Sequence, residues 1–162
     1  MVDEARWHLK HNGLSNCFVV HGAVGLPPEE TSTIFYVHPS SSASSVLPYE
    51  PNRQVLVKGR IAAVTVPAVS VAEEWLRRFG QAQVDIMKVD IEGKEMDFVS
   101  NEGSFLQKFV RNLVIEWHKW HVDLTDMTAI LESLGFEQAG VYDENQVAGL
   151  ATYRNLRMRV RT

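Results

Sequence analysis

The sequence predicts an α/β fold, and three observations predict it. Residues 84–89, Val-Asp-Ile-Met-Lys-Val, read as a mainly apolar strand without Gly or Pro. An acidic turn with Asp90 and Glu92 ends that strand at Gly93, and a helical pattern over 94–99 follows at once, which is the form of a βα unit. Residues 110–118 then give a second strand with Leu113, Val114 and Ile115 as its core. Two such runs separated by one helical connection predict a mostly parallel sheet with 84–89 and 113–116 as adjacent central strands. In open α/β sheets ligands bind outside the carboxyl ends of the strands, so Asp90 and Glu92 are the best placed polar groups in the chain.

Length and composition bound the rest. The 162 residues suffice for one domain with a real core, and we read 1–162 as a single domain. A net charge of −4 gives no basis for broad nucleic-acid binding. A single cysteine, Cys17, excludes an internal disulfide, fits a reducing compartment and reads as strand core. We therefore expect a cytoplasmic protein. No apolar run approaches the length of about 18 residues that a membrane span needs, and the first residues do not form a signal peptide.

In chain order, residues 3–11 form a helix capped by Asp3 and stopped at Asn12-Gly13. Residues 16–21 read as a short strand, ended by Gly22-Ala23-Val24-Gly25. Those glycines would admit a ligand to the backbone, but they have neither dinucleotide nor Walker spacing. Residues 33–38 form a second strand. The Ser-rich stretch 39–52 is a substrate lid or a plain surface loop. Residues 55–69 give one or two strands, firmest at Val64-Thr65-Val66. Ser70 and Glu73 then make a capping box for a helix over 71–79, closed by Gly80. After the organising strand come a short helix or turn at 104–109, the strand 110–118 and a helix over 125–134 ended by Gly135. Strands at 136–142 and 150–153 form an antiparallel hairpin around the turn 143–149.

Lys88 and Asp90 lie two apart and point to the same side of the sheet. Burying a lone Lys is costly, so Lys88 needs an acidic partner or a wet cleft. The plain reading is a structural ion pair plus a helix cap at Glu92; the functional one is a group of cleft residues. Glu116 and His118 share one face at the next strand end, with Trp117 on the other, and His121 follows three residues on. Asp90, Glu92, Glu116 and His118 also have metal-ligand chemistry, but no spacing forces that reading and no metal is expected.

Lys88-Val89-Asp90-Ile91-Glu92-Gly93 resembles the Lys-(Ile/Val)-Asp-(Val/Ile)-Glu-Gly signature of the FkbM family of S-adenosylmethionine-dependent methyltransferases. Asn12-Gly13-Leu14, Gly22-Ala23-Val24-Gly25, the serines at 41–45, Glu116-Trp117-His118 and Leu134-Gly135-Phe136 resemble further motifs of that family, in order, over about residues 5–155. The resemblance implies a Rossmann-like class I methyltransferase sheet with a C-terminal antiparallel hairpin. It implies methyl transfer from S-adenosylmethionine to a hydroxyl of a small molecule, glycan or lipid. Gly22, Ala23, Val24 and Asp90 would then face the cofactor. Asp90 and Glu116 would position the reactants, with His118 as candidate base or as a structural hydrogen-bond partner. Lys88, Glu92, His121, Ser41 and Ser42 would lie on the acceptor side.

The family's first strand with its Gly-rich loop, and the acidic residue that holds the ribose, have no counterpart in these 162 residues. We therefore expect a sheet truncated at its N-terminal side, weak cofactor binding, and an unpaired edge beside residues 17–20 covered in a homo-oligomer. The rival reading is a non-catalytic remnant that serves as a binding or assembly module.

Overall fold

A computed structural model describes residues 2–38, 44–47, 61–142 and 145–158. The fold is mixed α/β. A four-stranded sheet in the order β3-β4-β6-β5 is accompanied by a separate antiparallel ribbon of β1 (Ser32–Val37) and β2 (Ala62–Pro67). The sheet strands are β3 (Val84–Val89), β4 (Val110–His118), β5 (Phe136–Tyr142) and β6 (Ala148–Asn155).

β3 and β4 are adjacent and parallel, as their apolar runs predict, but they are the parallel pair of a mixed sheet: β4–β6 and β5–β6 run antiparallel. The expectation of a mostly parallel sheet with two central strands is corrected accordingly. Among the described residues β3 is an edge strand. Its Ile86 is 69% exposed, and the face it shares with Lys88, Asn112 and Val114 is not fully buried. The other face is dry. Val89, Leu113, Ile115, Trp117, Ala151 and Tyr153 pack there with Phe98 and Val99 of α3 (Glu95–Asn101), Phe105 and Leu106 of α4 (Gly103–Phe109), and Met127 and Leu131 of α5 (Leu124–Ser133).

Local chemistry explains the element boundaries. α2 (Val71–Phe79) starts at Ser70, whose Oγ accepts from Glu73 N at 3.3 Å. A second cap comes from far along the chain: the buried Glu102 accepts from Val71 N at 2.7 Å and Ala72 N at 3.1 Å. Its two carboxylate oxygens thus fill free amides of the first turn and complement the helix dipole. Glu102→Ala should lower stability by about 1–2 kcal/mol, the scale of a lost N-cap, measured by urea unfolding. α5 is capped by Asp123, whose Oδ1 accepts from Thr125 N at 2.7 Å.

The hairpin strand β6 is longer than the alternation at 150–153 suggested. Gly149, read as part of the turn, stands in β6 opposite Trp117. The strand's far end is fixed by Asn155, whose buried amide donates to Val110 O at 2.9 Å and Gln107 O at 3.0 Å.

The N-terminal region departs most from expectation. The helix is present as α1 (Val2–His11), but it buries no residue. Residues 16–21 do not form a strand, and Cys17 is exposed rather than core. Turn hydrogen bonds such as Leu14 N to Leu9 O hold this stretch to the end of α1, and Phe18 packs edge-on against Phe79 of α2. Among the described residues the edges of the four-stranded sheet are therefore β3 and β5, and residues 17–20 belong to no strand. Pairing resumes at Ala23, which bridges Ala68 in parallel.

Candidate active site

The turn after β3 is the centre of the site. Its backbone is unusual at two consecutive residues. Glu92 has φ 53 and Gly93 φ 99. A side chain in the left-handed region is strained for a residue such as Glu, a feature that recurs where the chain must aim a functional group. Gly93 is glycine for two reasons: its φ, and the Trp120 ring and Leu47, which would lie 2.6 and 2.8 Å from an added Cβ. Glu92 does not cap α3; the residue at that cap is Lys94, with no side-chain cap bond. Instead its Oε2 lies 3.3 Å from Nε2 of His118.

β4 delivers Glu116 and His118 to the same place. Lys88 Nζ meets Asp90 Oδ2 at 2.8 Å and Glu116 Oε2 at 3.6 Å. The Lys88 side chain is 56% exposed, so it has both an acidic partner and water. The hydrogen bond with Asp90 holds the Lys88 ammonium above its ordinary pKa. Asp90, Glu116 and His118 each bring one ligand-type atom within 4.8 Å of the others. The cation already present between the two carboxylates is Lys88.

His118 is the most enclosed of these groups, with its side chain 5% exposed. Nδ1 lies 2.9 Å from Oε1 of Glu95. Burial alone pulls its pKa down, but the hydrogen bond and charge of Glu95, with the charges of Glu92 and Asp90, outweigh it and raise the pKa above the usual 6.5. The sign of the linkage follows: this arrangement stabilises the fold fully below pH about 6.5, and its contribution fades as pH rises through the raised value.

A cavity of about 180 Å³ joins this turn to the glycine segment. Gly22, Ala23, Val24, Phe35, Ser44 and Val46 line it together with Asp90, Ile91 and Glu92. The structure thus brings Gly22, Ala23 and Val24 beside Asp90. The glycines are not there to admit a ligand on their Cα–H side. An added Cβ on Gly22 would lie 2.9 Å from Pro67 O, and one on Gly25 would lie 3.2 Å from Lys94 O. His121 is exposed, with its ring 5.5 Å from that of Trp120. Ser41 and Ser42 lie outside the described residues. Their neighbour Ser45 does reach the turn: its hydroxyl donates to Glu92 O at 2.9 Å.

Sequence reasoning passed over Glu95, and it gave Ser45 and Trp120 no role in the site. Only Glu95 had a usable signal. Phe98 and Val99, three and four residues on, put it on the core face of α3. Ser45 and Trp120 act through loop conformation, which no periodicity encodes.

The family model described as the methyltransferase FkbM domain matches residues 9–137, a span that holds the glycine segment, the acidic turn and the Glu116–His118 strand end. No curated protein matches, and no solved structure does. With that match over most of its length, the chain belongs to the FkbM methyltransferase family.

Proposed function

We propose that this chain carries the acceptor side of an S-adenosylmethionine-dependent O-methyltransferase, acting on a hydroxyl of a small molecule, glycan or lipid. The single domain is read as a Rossmann-like class I sheet. The observation that supports the reading best is the cavity that runs from Gly22–Val24 to Asp90 and Glu92, with His118 directly behind Glu92. Small apolar residues at 22–24 suit a flat adenine, and the Asp90 carboxylate suits a neighbouring sulfonium charge. The cavity fits part of the cofactor, since sites for whole ligands of that size hold about 300 Å³ or more. When bound, S-adenosylmethionine supplies an electrophilic methyl group.

The chain's own residues do the rest. Asp90 and Glu116 orient the acceptor, with Lys88 fixing both carboxylates. Glu92, Lys88 and His121 border the acceptor, and His118 takes the hydroxyl proton at Nε2. His118→Ala should slow transfer by about 10²–10⁴-fold, the usual worth of a general base. Product formation from S-adenosylmethionine at millimolar concentration, measured over a panel of hydroxyl acceptors, checks this; unchanged turnover would remove His118 from the mechanism. Because only neutral imidazole is a base, the rate should climb as pH rises through the raised pKa of His118. Stability should fall over the same interval.

The open edge at β3, with Ile86 exposed, favours a second reading: assembly with a second copy through that edge. Sedimentation at high protein concentration tests it, and a strict monomer would remove this reading.

A further inference from the structure

We infer that Glu95 is a positioning residue that fixes the tautomer and the basicity of His118. This rests on the reading of His118 as the base. Three observations carry it. First, Glu95 is fully buried, in the first turn of α3, and its Oε1 is the acceptor for three groups: His118 Nδ1 at 2.9 Å, Gly93 N at 3.0 Å and Ile91 N at 3.4 Å. One atom therefore ties the imidazole to the backbone of the strained turn.

Second, Oε2 of Glu95 is buried and has no hydrogen-bond partner among the described residues. A bare carboxylate oxygen in a core is costly. A neutral amide would supply the same single acceptor oxygen at lower desolvation cost. What a carboxylate adds over an amide is negative charge, and the group beside it that can use the charge is His118. Third, the geometry sets the proton. Each ring nitrogen faces a carboxylate, Glu95 Oε1 at 2.9 Å from Nδ1 and Glu92 Oε2 at 3.3 Å from Nε2, and the nearer, fully buried oxygen holds the hydrogen of the neutral ring on Nδ1. The charged groups that face the ring are Glu95, Glu92, Asp90 and Glu116, and Trp120 stands edge-on to it at 6.0 Å. Of these, Glu95 alone is both fully enclosed and hydrogen-bonded to Nδ1.

The test is nitrogen-15 NMR of the histidine rings in the full 162-residue chain, with the His118 signals assigned by their loss in His118→Gln. In the unmodified chain above its pKa, His118 should carry its proton on Nδ1. A proton on Nε2 would overturn the inference without any variant. In Glu95→Gln, which keeps the acceptor oxygen and the shape, the His118 titration midpoint should fall by about one pH unit or more. A midpoint within about 0.3 unit of the original, in a variant that still folds, would overturn it and leave Glu95 as a purely structural acceptor. These readouts need no catalysis. If methyl transfer is also observed, Glu95→Gln should lower it about tenfold or more and shift its pH profile down by the same interval. A shifted NMR midpoint with no transfer by either protein would instead refute the methyltransferase mechanism and leave the positioning role standing.

Discussion

Titration of the 162-residue chain with S-adenosylmethionine should give a dissociation constant in the millimolar range. The reason is a balance of contacts. A class I cofactor site as implied by the resemblance takes its affinity from a Gly-rich turn, a ribose-binding acid and an adenine pocket. On the proposed reading the cavity at Gly22–Val24 would supply part of the third. Each lost hydrogen bond to a charged or polar ligand group costs roughly 1.5–3 kcal/mol. Two or three such losses weaken binding by about a thousandfold or more, since each 1.4 kcal/mol is roughly tenfold. A site that would be micromolar thus becomes millimolar. Isothermal titration with the cofactor, or with its demethylated product, measures this directly. A low micromolar constant would mean that the glycine segment and the Asp90 turn bind far more of the cofactor than their cavity suggests, or that a second copy completes the site.

A comparably large effect is expected from Gly149→Val, this time on stability. Gly149 faces Trp117 across the β4–β6 ladder, and a Cβ there would lie 2.6 Å from Cζ2 and 2.7 Å from Cζ3 of the indole. Trp117 is only 5% exposed and belongs to the main core cluster, so the ring has no free space to retreat into. The branched side chain must push it aside and open the packing around it. Overpacking of this kind costs about 3 kcal/mol. Urea unfolding checks it, with a control built in: shrinking the ring by Trp117→Leu should make the double variant less unstable than the two single costs added together. Simple additivity would show that the indole and the glycine do not compete for one space.

Gly149 also shows where sequence reading stops. Between Asn145 and Leu150 it has the look of a turn residue, and nothing local says that an indole 32 positions earlier occupies the place of its side chain. The same limit hid the Glu102 cap, which closes a helix some 30 residues away. What was legible was local or periodic. The strands at Val84–Val89 and Val110–His118, the helix Val71–Phe79 with its serine cap, and the shared face of Glu116 and His118 all follow from short-range pattern. The strand expected at residues 16–21 failed for the converse reason. A run such as Cys-Phe-Val-Val has strand propensity, but a strand also needs a neighbour, and this one has none among the described residues. For the site, the acidic turn and the histidine were visible as residue types at strand ends. The charge arrangement around His118 was not, because Glu95 reads as an ordinary first-turn glutamate until α3 is packed against β4.

The edge position of β3 divides the site by mobility. An edge strand is held by hydrogen bonds on one side, so every second amide of Val84–Val89 faces outward and should exchange its proton quickly with solvent. β4 is laddered on both sides, to β3 and β6, and should contain the slowest-exchanging amides of the chain. Asp90 is attached to the first kind of strand, Glu116 and His118 to the second. The two walls of the site are therefore expected to open separately, which residue-resolved hydrogen exchange checks. Beyond its strand, the Asp90 turn is tied down by the two amides that Glu95 holds and by Ser45, whose hydroxyl donates to Glu92 O.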